Sequence, residues 1–152
     1  MRKTVTATPL SLAEVRQEID QRLEGLFEVK IKQAHGIDPL YGQMLERMAL
    51  FIRRGGKRMR PYLTYLSYIG CGGSDTAAIL DVAASQELYH NFLLIHDDII
   101  DRDLMRYDGP NLSGLYMEKF QKELADLGEA RHYADAMAML AGDLNCGLAF
   151  GV

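Results

Sequence analysis

The sequence predicts an all-α fold, a single bundle of helices, and three observations support this prediction. Apolar residues recur at helical spacing along most of the chain, while the alternation typical of strands is nearly absent. The composition, 48% hydrophobic and 25% charged over 152 residues, suits one globular domain with a sizeable core. Eight methionines and no tryptophan suit a helical core with irregular gaps to fill.

The first half of the chain holds three helix patterns. SLAE at residues 11–14 is a capping box, and the apolar spacing after it predicts a helix from there into the thirties. A second amphipathic stretch covers residues 44–52 and ends at the paired glycines 55–56. Pro61 suits the first turn of a third helix, because proline is tolerated there, and the glycine cluster at 70–73 ends it.

The second half begins with a long helix that is apolar on nearly every side, as expected of a helix at the centre of a bundle. The serine–aspartate pair at 74–75 can cap this helix, which we expect to run to about Arg102. A loop follows through GPN at residues 109–111. A polar helix over residues 114–127 and a last helix from Arg131 complete the predicted bundle.

Charge and cysteine content argue against several classes of protein. The net charge of −4 disfavours a general nucleic-acid surface. Cys71 and Cys146 are too far apart for a metal motif and too few for a disulfide framework, which favours a reducing compartment. Residues 1–10 lack the apolar core of a secretory signal, and no segment is long and apolar enough for a membrane span. We therefore expect a cytoplasmic protein.

The stretch LLIHDDIIDRD at residues 93–103 places four aspartates at the end of the long helix. Like charges at helical spacing repel each other, and negative charge at a helix C-terminus opposes the helix dipole. Asp97 and Asp101 share one helix face, where two carboxylates can hold Mg²⁺ together with substrate phosphates. Arg106 follows closely and suits the same phosphate oxygens. We interpret the pair as a metal site rather than a solvated acidic helix end.

A second unusual stretch is RRGGKRMRP at residues 53–61. Lys57, Arg58 and Arg60 follow a paired-glycine turn at a helix start, an arrangement that favours anion binding. A surface basic patch or a localisation signal is the commoner meaning of such clusters. One of the two sites would bind phosphate through metal and the other through bare cations. This difference suggests a reaction between two diphosphates.

The two motifs together, GGKRMRP (residues 55–61) and DDIID (97–101), resemble those of the isoprenoid diphosphate synthases, or trans-polyprenyl synthetases. Further agreement, in the family's order, comes from ELYH (87–90), LAGD (140–143) and LAF (148–150). The pattern is most similar to the short-chain farnesyl and geranylgeranyl diphosphate synthases. The resemblance implies a helical bundle of the isoprenoid synthase type around a central cavity, with this chain as its N-terminal half.

The same resemblance implies a prenyltransferase. An allylic diphosphate (dimethylallyl, geranyl or farnesyl) ionises with the help of Mg²⁺, the double bond of isopentenyl diphosphate attacks the carbocation, and a proton is lost. By position in the family pattern, Asp97 and Asp101 would ligate Mg²⁺, and Asp98 would support them as a third catalytic carboxylate. A homodimer is implied for the complete protein, with no nucleic-acid partner.

Four residues would bind the substrates in the family pattern: Lys57, Arg60 and His90 the isopentenyl diphosphate, and Arg106 the allylic diphosphate. A lone histidine is usually a satisfied core residue. His90, however, precedes Asp97 by two helical turns, so it lies on the same stripe of the helix. This position favours the binding role.

Two aromatic residues upstream of the aspartates would limit the length of the product. In the family, bulky residues at such positions form the floor of the product cavity, and here Phe92 and Tyr89 occupy them. Five residues of helix, the separation of Phe92 from Asp97, span about 7.5 Å, so room runs out after a few additions. We expect products of C15–C20. The alternative is that both are ordinary core aromatics.

The chain departs from the family pattern in two ways. Tyr107 stands where the family usually has a second arginine, which removes a charge from the isopentenyl diphosphate site. The family's second aspartate-rich motif and its catalytic lysine are missing. We therefore expect residues 1–152 to form one all-α domain, cut short and inactive alone.

Two other interpretations remain open at this point. A truncated relative could serve as a non-catalytic helical partner. A di-iron carboxylate bundle would use the Glu-x-x-His spacings at 87–90 and 129–132, although it leaves both charged motifs unexplained.

Overall fold

The computed structural model describes residues 9–151, so the prediction about a secretory signal in residues 1–10 lies almost entirely outside it. The described residues form a helical bundle with one very short hairpin. The elements are α1 (Leu12–Ile37), α2 (Pro39–Arg54), α3 (Met59–Gly70), α4 (Thr76–Ile100), β1 (Met105–Arg106), β2 (Gly109–Pro110), α5 (Leu112–Glu123) and α6 (Leu127–Ala149). No helix within residues 9–151 is long and apolar enough to cross a membrane.

The first two helices begin at side-chain caps. Ser11 Oγ accepts a hydrogen bond from the Glu14 N–H at 3.3 Å, and Glu14 Oε2 accepts one from the Ser11 N–H at 2.8 Å. The predicted capping box is therefore confirmed. Asp38 has extended backbone dihedrals, which end α1, and its side chain accepts from the Leu40 N–H at 2.7 Å. With Pro39 in the first turn, this cap starts α2.

Three later helices begin earlier than the sequence predicts. α3 starts at Met59, so Pro61 still lies in its first turn. α5 starts at Leu112 because the Asn111 side chain accepts from the Gly114 N–H at 2.8 Å. α6 starts at Leu127 because Asp126 accepts from two backbone N–H groups in the same way. Both are ordinary side-chain caps that the apolar periodicity did not indicate.

The loop predicted around residues 109–111 is partly a hairpin. β1 and β2 pair antiparallel, with Met105 opposite Pro110 and Arg106 opposite Gly109. The two turn residues, Tyr107 and Asp108, both have left-handed backbone dihedrals, with φ of 52° and 60°. Two-residue hairpin turns of this kind are usually Asn-Gly or Asp-Gly. Here Asp108 and Gly109 lie one position later than this pattern requires, and Tyr107 occupies the first turn position.

The long helix α4 packs against α1, α3 and α6, which confirms its predicted central position. Its closest partner is α6, which runs antiparallel to it. The Asn145 side-chain amide donates to the Leu88 carbonyl at 2.9 Å, and the Ser85 hydroxyl donates to the Ala149 carbonyl. α6 carries several fully buried alanines, and an added Cβ at Gly142 would lie 2.6 Å from the His96 ring, so the two helices approach closely. Because α6 covers one face of α4, the charged residues of α4 lie on the other faces of this helix.

Candidate functional site

An open cleft of about 400 Å³ collects three predicted binding residues from distant parts of the chain. Lys57 and Arg60 come from the turn and first helical turn that follow α2, and His90 comes from the middle of α4. Tyr107 at the tip of the hairpin and Gly56 complete the wall on the other side. The structure therefore brings together the residues that the sequence predicted for one anion site. We call this space the basic cleft.

The charge in the basic cleft resides on its lysine and arginine. Arg60 Nη1 donates a hydrogen bond to His90 Nε2 at 3.0 Å, so this ring nitrogen carries no proton. Burial, followed by the charge of Arg60, lowers the pKa of His90 below its usual value, while the Glu87 and Asp97 carboxylates partly oppose this. His90 is therefore a neutral hydrogen-bonding group beside Lys57 and Arg60.

Arg58 also lines the basic cleft, but its charge is already compensated by neighbouring groups. The residue is only 4% exposed. It donates to Asp20 at 2.9 Å, to Glu87 at 2.7 Å and to the Ile52 carbonyl at 3.0 Å. Because two carboxylates and a carbonyl compensate its charge, Arg58 ties the glycine turn to α1 and α4. Two of the three expected cations therefore remain for an anion.

The aspartates lie in the last turn of α4, and two of them face outward. Asp97 and Asp101 are exposed, and the Asp101 N–H donates to the Asp97 carbonyl at 2.8 Å, so the two residues are one helical turn apart. Within residues 9–151, no three His, Cys, Asp or Glu side chains form a complete metal site. Mg²⁺ typically takes one or two protein carboxylates and fills its shell with water and phosphate oxygens. The exposed pair fits such a partial site.

Asp98 points inward and pairs with Arg106. Arg106 donates to Asp98 Oδ1 through Nε at 2.8 Å and through Nη2 at 2.6 Å. This pairing raises the pKa of Arg106, although burial opposes it. Asp98 is 2% exposed, so its carboxylate faces away from the solvent side where Asp97 and Asp101 lie. Asp98 thus fixes the guanidinium at the start of the hairpin.

The basic cleft and the aspartates lie on the same stripe of α4, since His90 and Asp97 are seven residues apart. His90 lies close enough to Arg106 and Asp97 for both charges to affect its pKa. Tyr107, next to Arg106, also lines the cleft. From the sequence, Tyr107 is notable only because it differs from the family pattern. No local signal indicates that its ring lines the basic cleft.

The two predicted product-length residues lie together near a second, apolar cleft. The rings of Tyr89 and Phe92 have centroids 5.5 Å apart. Tyr89 is 42% exposed and lines a space of about 430 Å³ with Val82 and Ala149 among others. Phe92 is partly buried, and the centroid of its ring lies 4.6 Å from that of the His96 ring. The position of Tyr89 suits a wall for an apolar chain, and Phe92 supports it.

The geometry opposes a di-iron site. Glu87 is committed to the buried pair with Arg58, and His90 accepts from Arg60. Glu129 lies in the first turn of α6 and is exposed. The grouping of ligands that two irons require is therefore not present among residues 9–151.

Comparison with known proteins identifies the family and the fold. The sequence profile of the polyprenyl synthetase family matches residues 42–150. A short chain isoprenyl diphosphate synthase of Methanocaldococcus jannaschii is 41% identical over 96 residues, which are 63% of this chain and 24% of that protein. A geranylfarnesyl diphosphate synthase of Aeropyrum pernix is 38% identical over 98 residues, 64% of this chain and 30% of that protein. The chain thus matches less than a third of either relative.

A solved structure shares the fold. The crystal structure of geranylgeranyl pyrophosphate synthase from Corynebacterium glutamicum, complexed with isoprenyl diphosphate and magnesium, aligns with a TM-score of 0.84 at 24% identity. The alignment covers 93% of this chain and 41% of that one. This likeness confirms the predicted isoprenoid synthase helical fold. Because the family profile matches most of its length, the chain belongs to the polyprenyl synthetase family.

Proposed function

We propose that this chain supplies the basic cleft and the first aspartate motif of a prenyltransferase that joins isopentenyl diphosphate to an allylic diphosphate. The observation that carries the proposal is that two groups of residues with different charge lie along α4 and the segments packed on it. One holds Lys57 and Arg60 beside a neutral histidine. The other holds exposed carboxylates beside Arg106. Such a surface suits two diphosphates held by different chemistry.

Each site has a distinct task in this proposal. Lys57 and Arg60 bind the diphosphate of isopentenyl diphosphate through charge-assisted hydrogen bonds, with His90 as a further polar contact. Asp97 and Asp101 would hold Mg²⁺, which would neutralise the charge that develops on the leaving diphosphate. Arg106, fixed by Asp98, orients the allylic diphosphate toward the same end of α4.

The reaction balances without any further reactant. The carbon–oxygen bond of the allylic diphosphate breaks, and the diphosphate leaves with the electron pair. The double bond of isopentenyl diphosphate then supplies the electrons for the new carbon–carbon bond. Loss of a proton from the isopentenyl unit, which the released diphosphate can accept, restores a double bond. The lengthened chain would lie along the apolar cleft at Tyr89, and we propose products of C15–C20.

A second candidate is a non-catalytic helical partner. The matched segment is 24% of one curated relative and 30% of the other. The intact pair of anion sites favours the prenyltransferase, because a purely structural partner would have no use for exposed Asp97 and Asp101 at a helix C-terminus. We propose prenyltransferase activity only for a complete protein. That the complete protein is a homodimer in the cytoplasm remains a prediction.

The test is Mg²⁺-dependent binding of a diphosphate to the chain itself. Isothermal titration with inorganic pyrophosphate should show binding that Mg²⁺ strengthens. Asp97→Ala and Asp101→Ala should remove the Mg²⁺-dependent part, whereas Glu118→Ala, an exposed acid on α5, should bind like wild type. If Mg²⁺ leaves pyrophosphate binding to the wild-type chain unchanged, the metal assignment is wrong and the non-catalytic candidate gains.

The catalytic half of the proposal needs an assay of condensation. Isopentenyl diphosphate and geranyl diphosphate would be incubated with the chain alone and with a chain extended by the later helices of a curated relative. We expect a Mg²⁺-dependent product from the extended chain and none from the shorter one. Condensation by the short chain alone would contradict the expectation that this chain is inactive. If a folded extended chain forms no condensation product, the prenyltransferase proposal is wrong.

A further inference from the structure

The tip of the β1–β2 hairpin has an unfavourable backbone. Tyr107 has a φ of 52° and Asp108 one of 60°. Residues with a Cβ seldom adopt the left-handed region, and a tyrosine is poorly suited to it, whereas Gly or Asn is ordinarily found at such a turn. Strained positions of this kind persist only where surrounding contacts hold them. The contacts of the Tyr107 ring supply this support.

That ring packs on Gly55. A Cβ added at Gly55 would lie 2.9 Å from Tyr107 Cε2, closer than real Cβ atoms come to other atoms. The backbone of Gly55 is ordinary for any residue, with φ −101° and ψ 147°. Glycine is thus needed at this position for the close approach of the ring and not for its own dihedrals.

The hairpin contacts the same turn at a second point. Arg54 Nη1 donates to the Pro110 carbonyl at 3.1 Å, and a Cβ at Gly109 would lie 3.0 Å from that nitrogen. The Arg106 guanidinium lies 6.0 Å from the centre of the Tyr107 ring, within the range of a cation–π contact. The ring thus lies between the turn that carries Lys57 and the arginine that Asp98 holds.

We propose that Tyr107 is a positioning residue that holds the hairpin on the glycine turn and so fixes Arg106 relative to Lys57 and Arg60. It would set the separation of the two diphosphate sites and close one wall of the basic cleft, where it is among the lining residues. This inference rests on the proposed function of that cleft. In the family pattern an arginine usually occupies this position and contributes its charge. The positioning role proposed for Tyr107 depends on the packing of its ring and needs no charge.

A double-mutant cycle tests the contact, with affinity for inorganic pyrophosphate in the absence of Mg²⁺ as the readout. Tyr107→Gly removes the ring and relieves the backbone, and Gly55→Ala crowds the ring. We expect each change to weaken pyrophosphate binding roughly three- to tenfold. The circular dichroism spectrum of each variant should remain that of the folded wild-type chain. In the Tyr107→Gly background, Gly55→Ala should have no further effect. Tyr107→Phe, which keeps the ring, should bind like wild type.

The outcomes separate the inference from the function on which it rests. If Lys57→Ala and Arg60→Ala bind pyrophosphate as tightly as wild type, the basic cleft is not an anion site, and both statements are wrong. If those variants bind weakly while Tyr107→Gly binds like wild type, only the inference about Tyr107 fails. Fully additive effects of Gly55→Ala and Tyr107→Gly would also overturn it, because two residues that act through one contact cannot be independent. Gly55→Ala could misfold, but the Tyr107→Gly result would still decide.

Discussion

Arg106 donates two hydrogen bonds to a single carboxylate oxygen of Asp98, at 2.8 Å and 2.6 Å. The other oxygen, Asp98 Oδ2, is buried and has no hydrogen-bond partner within residues 9–151. The aspartate motif therefore divides its carboxylates between two directions. Asp98 holds the hairpin from inside, while Asp97 and Asp101 face outward.

This division predicts opposite effects on stability for neighbouring aspartates. Asp98→Ala leaves the Arg106 charge, which is 25% exposed, without its partner, and loss of one member of a buried pair costs about 3 kcal/mol. Asp97→Ala should be neutral or slightly stabilising, since it removes a like-charge repulsion near the helix C-terminus. Urea unfolding of both variants measures the difference. Equal unfolding free energies would contradict the structural role of Asp98.

The basic cleft predicts a selective effect on one substrate. In the complete protein, Lys57→Ala and Arg60→Ala should raise KM for isopentenyl diphosphate far more than for the allylic diphosphate. Charge-assisted contacts contribute roughly 1.5–3 kcal/mol each, which corresponds to at least a tenfold change. Steady-state kinetics with each substrate varied in turn measures this. Lys32→Ala, at an exposed position on α1, is the control and should leave both constants unchanged.

The lowered pKa of His90 predicts a dependence of stability on pH. Burial and then the Arg60 charge lower this pKa below 6.5, so between the folded and unfolded pKa values the folded chain binds fewer protons. The free energy of unfolding should therefore fall as pH drops below 6.5 and level off once both states are protonated. His90→Gln should remove this contribution. Urea unfolding between about pH 8 and pH 5 tests it, and identical profiles for both chains would refute it.

The apolar cleft predicts longer products from either aromatic variant of the complete enzyme. Tyr89→Ala opens the wall directly, and Phe92→Ala removes the ring that packs behind it. One isoprene unit is about as long as a helical turn, roughly 5 Å, so each loss should admit further units. Chromatography of dephosphorylated products measures their length. Wild-type products of C30 or more, or unchanged lengths in both variants, would remove these residues from that task.

Much of the fold follows from local sequence signals. The capping box at Ser11, the cap at Asp75 and the apolar α4 at the centre of the bundle depend on residues close in the chain. The Asp97–Asp101 spacing likewise fixes a shared helix face, because it is set by helical geometry alone. The starts of α2, α3, α5 and α6, the end of α5 and the hairpin differed from prediction, by a few residues each.

The partners of the charged residues depend on tertiary packing. Nothing in the spacing of DDIID distinguishes Asp98, which pairs with Arg106, from its exposed neighbours. Nor does RRGGKRMRP distinguish Arg58, which Asp20 and Glu87 hold in the interior, from the cations that remain in the cleft. The sequence alone determined which charges this protein carries and which helix turn or loop carries them. Only the packing of α1, α4 and the hairpin decided which charges are neutralised inside, because a buried charge requires a partner that comes from a distant part of the chain.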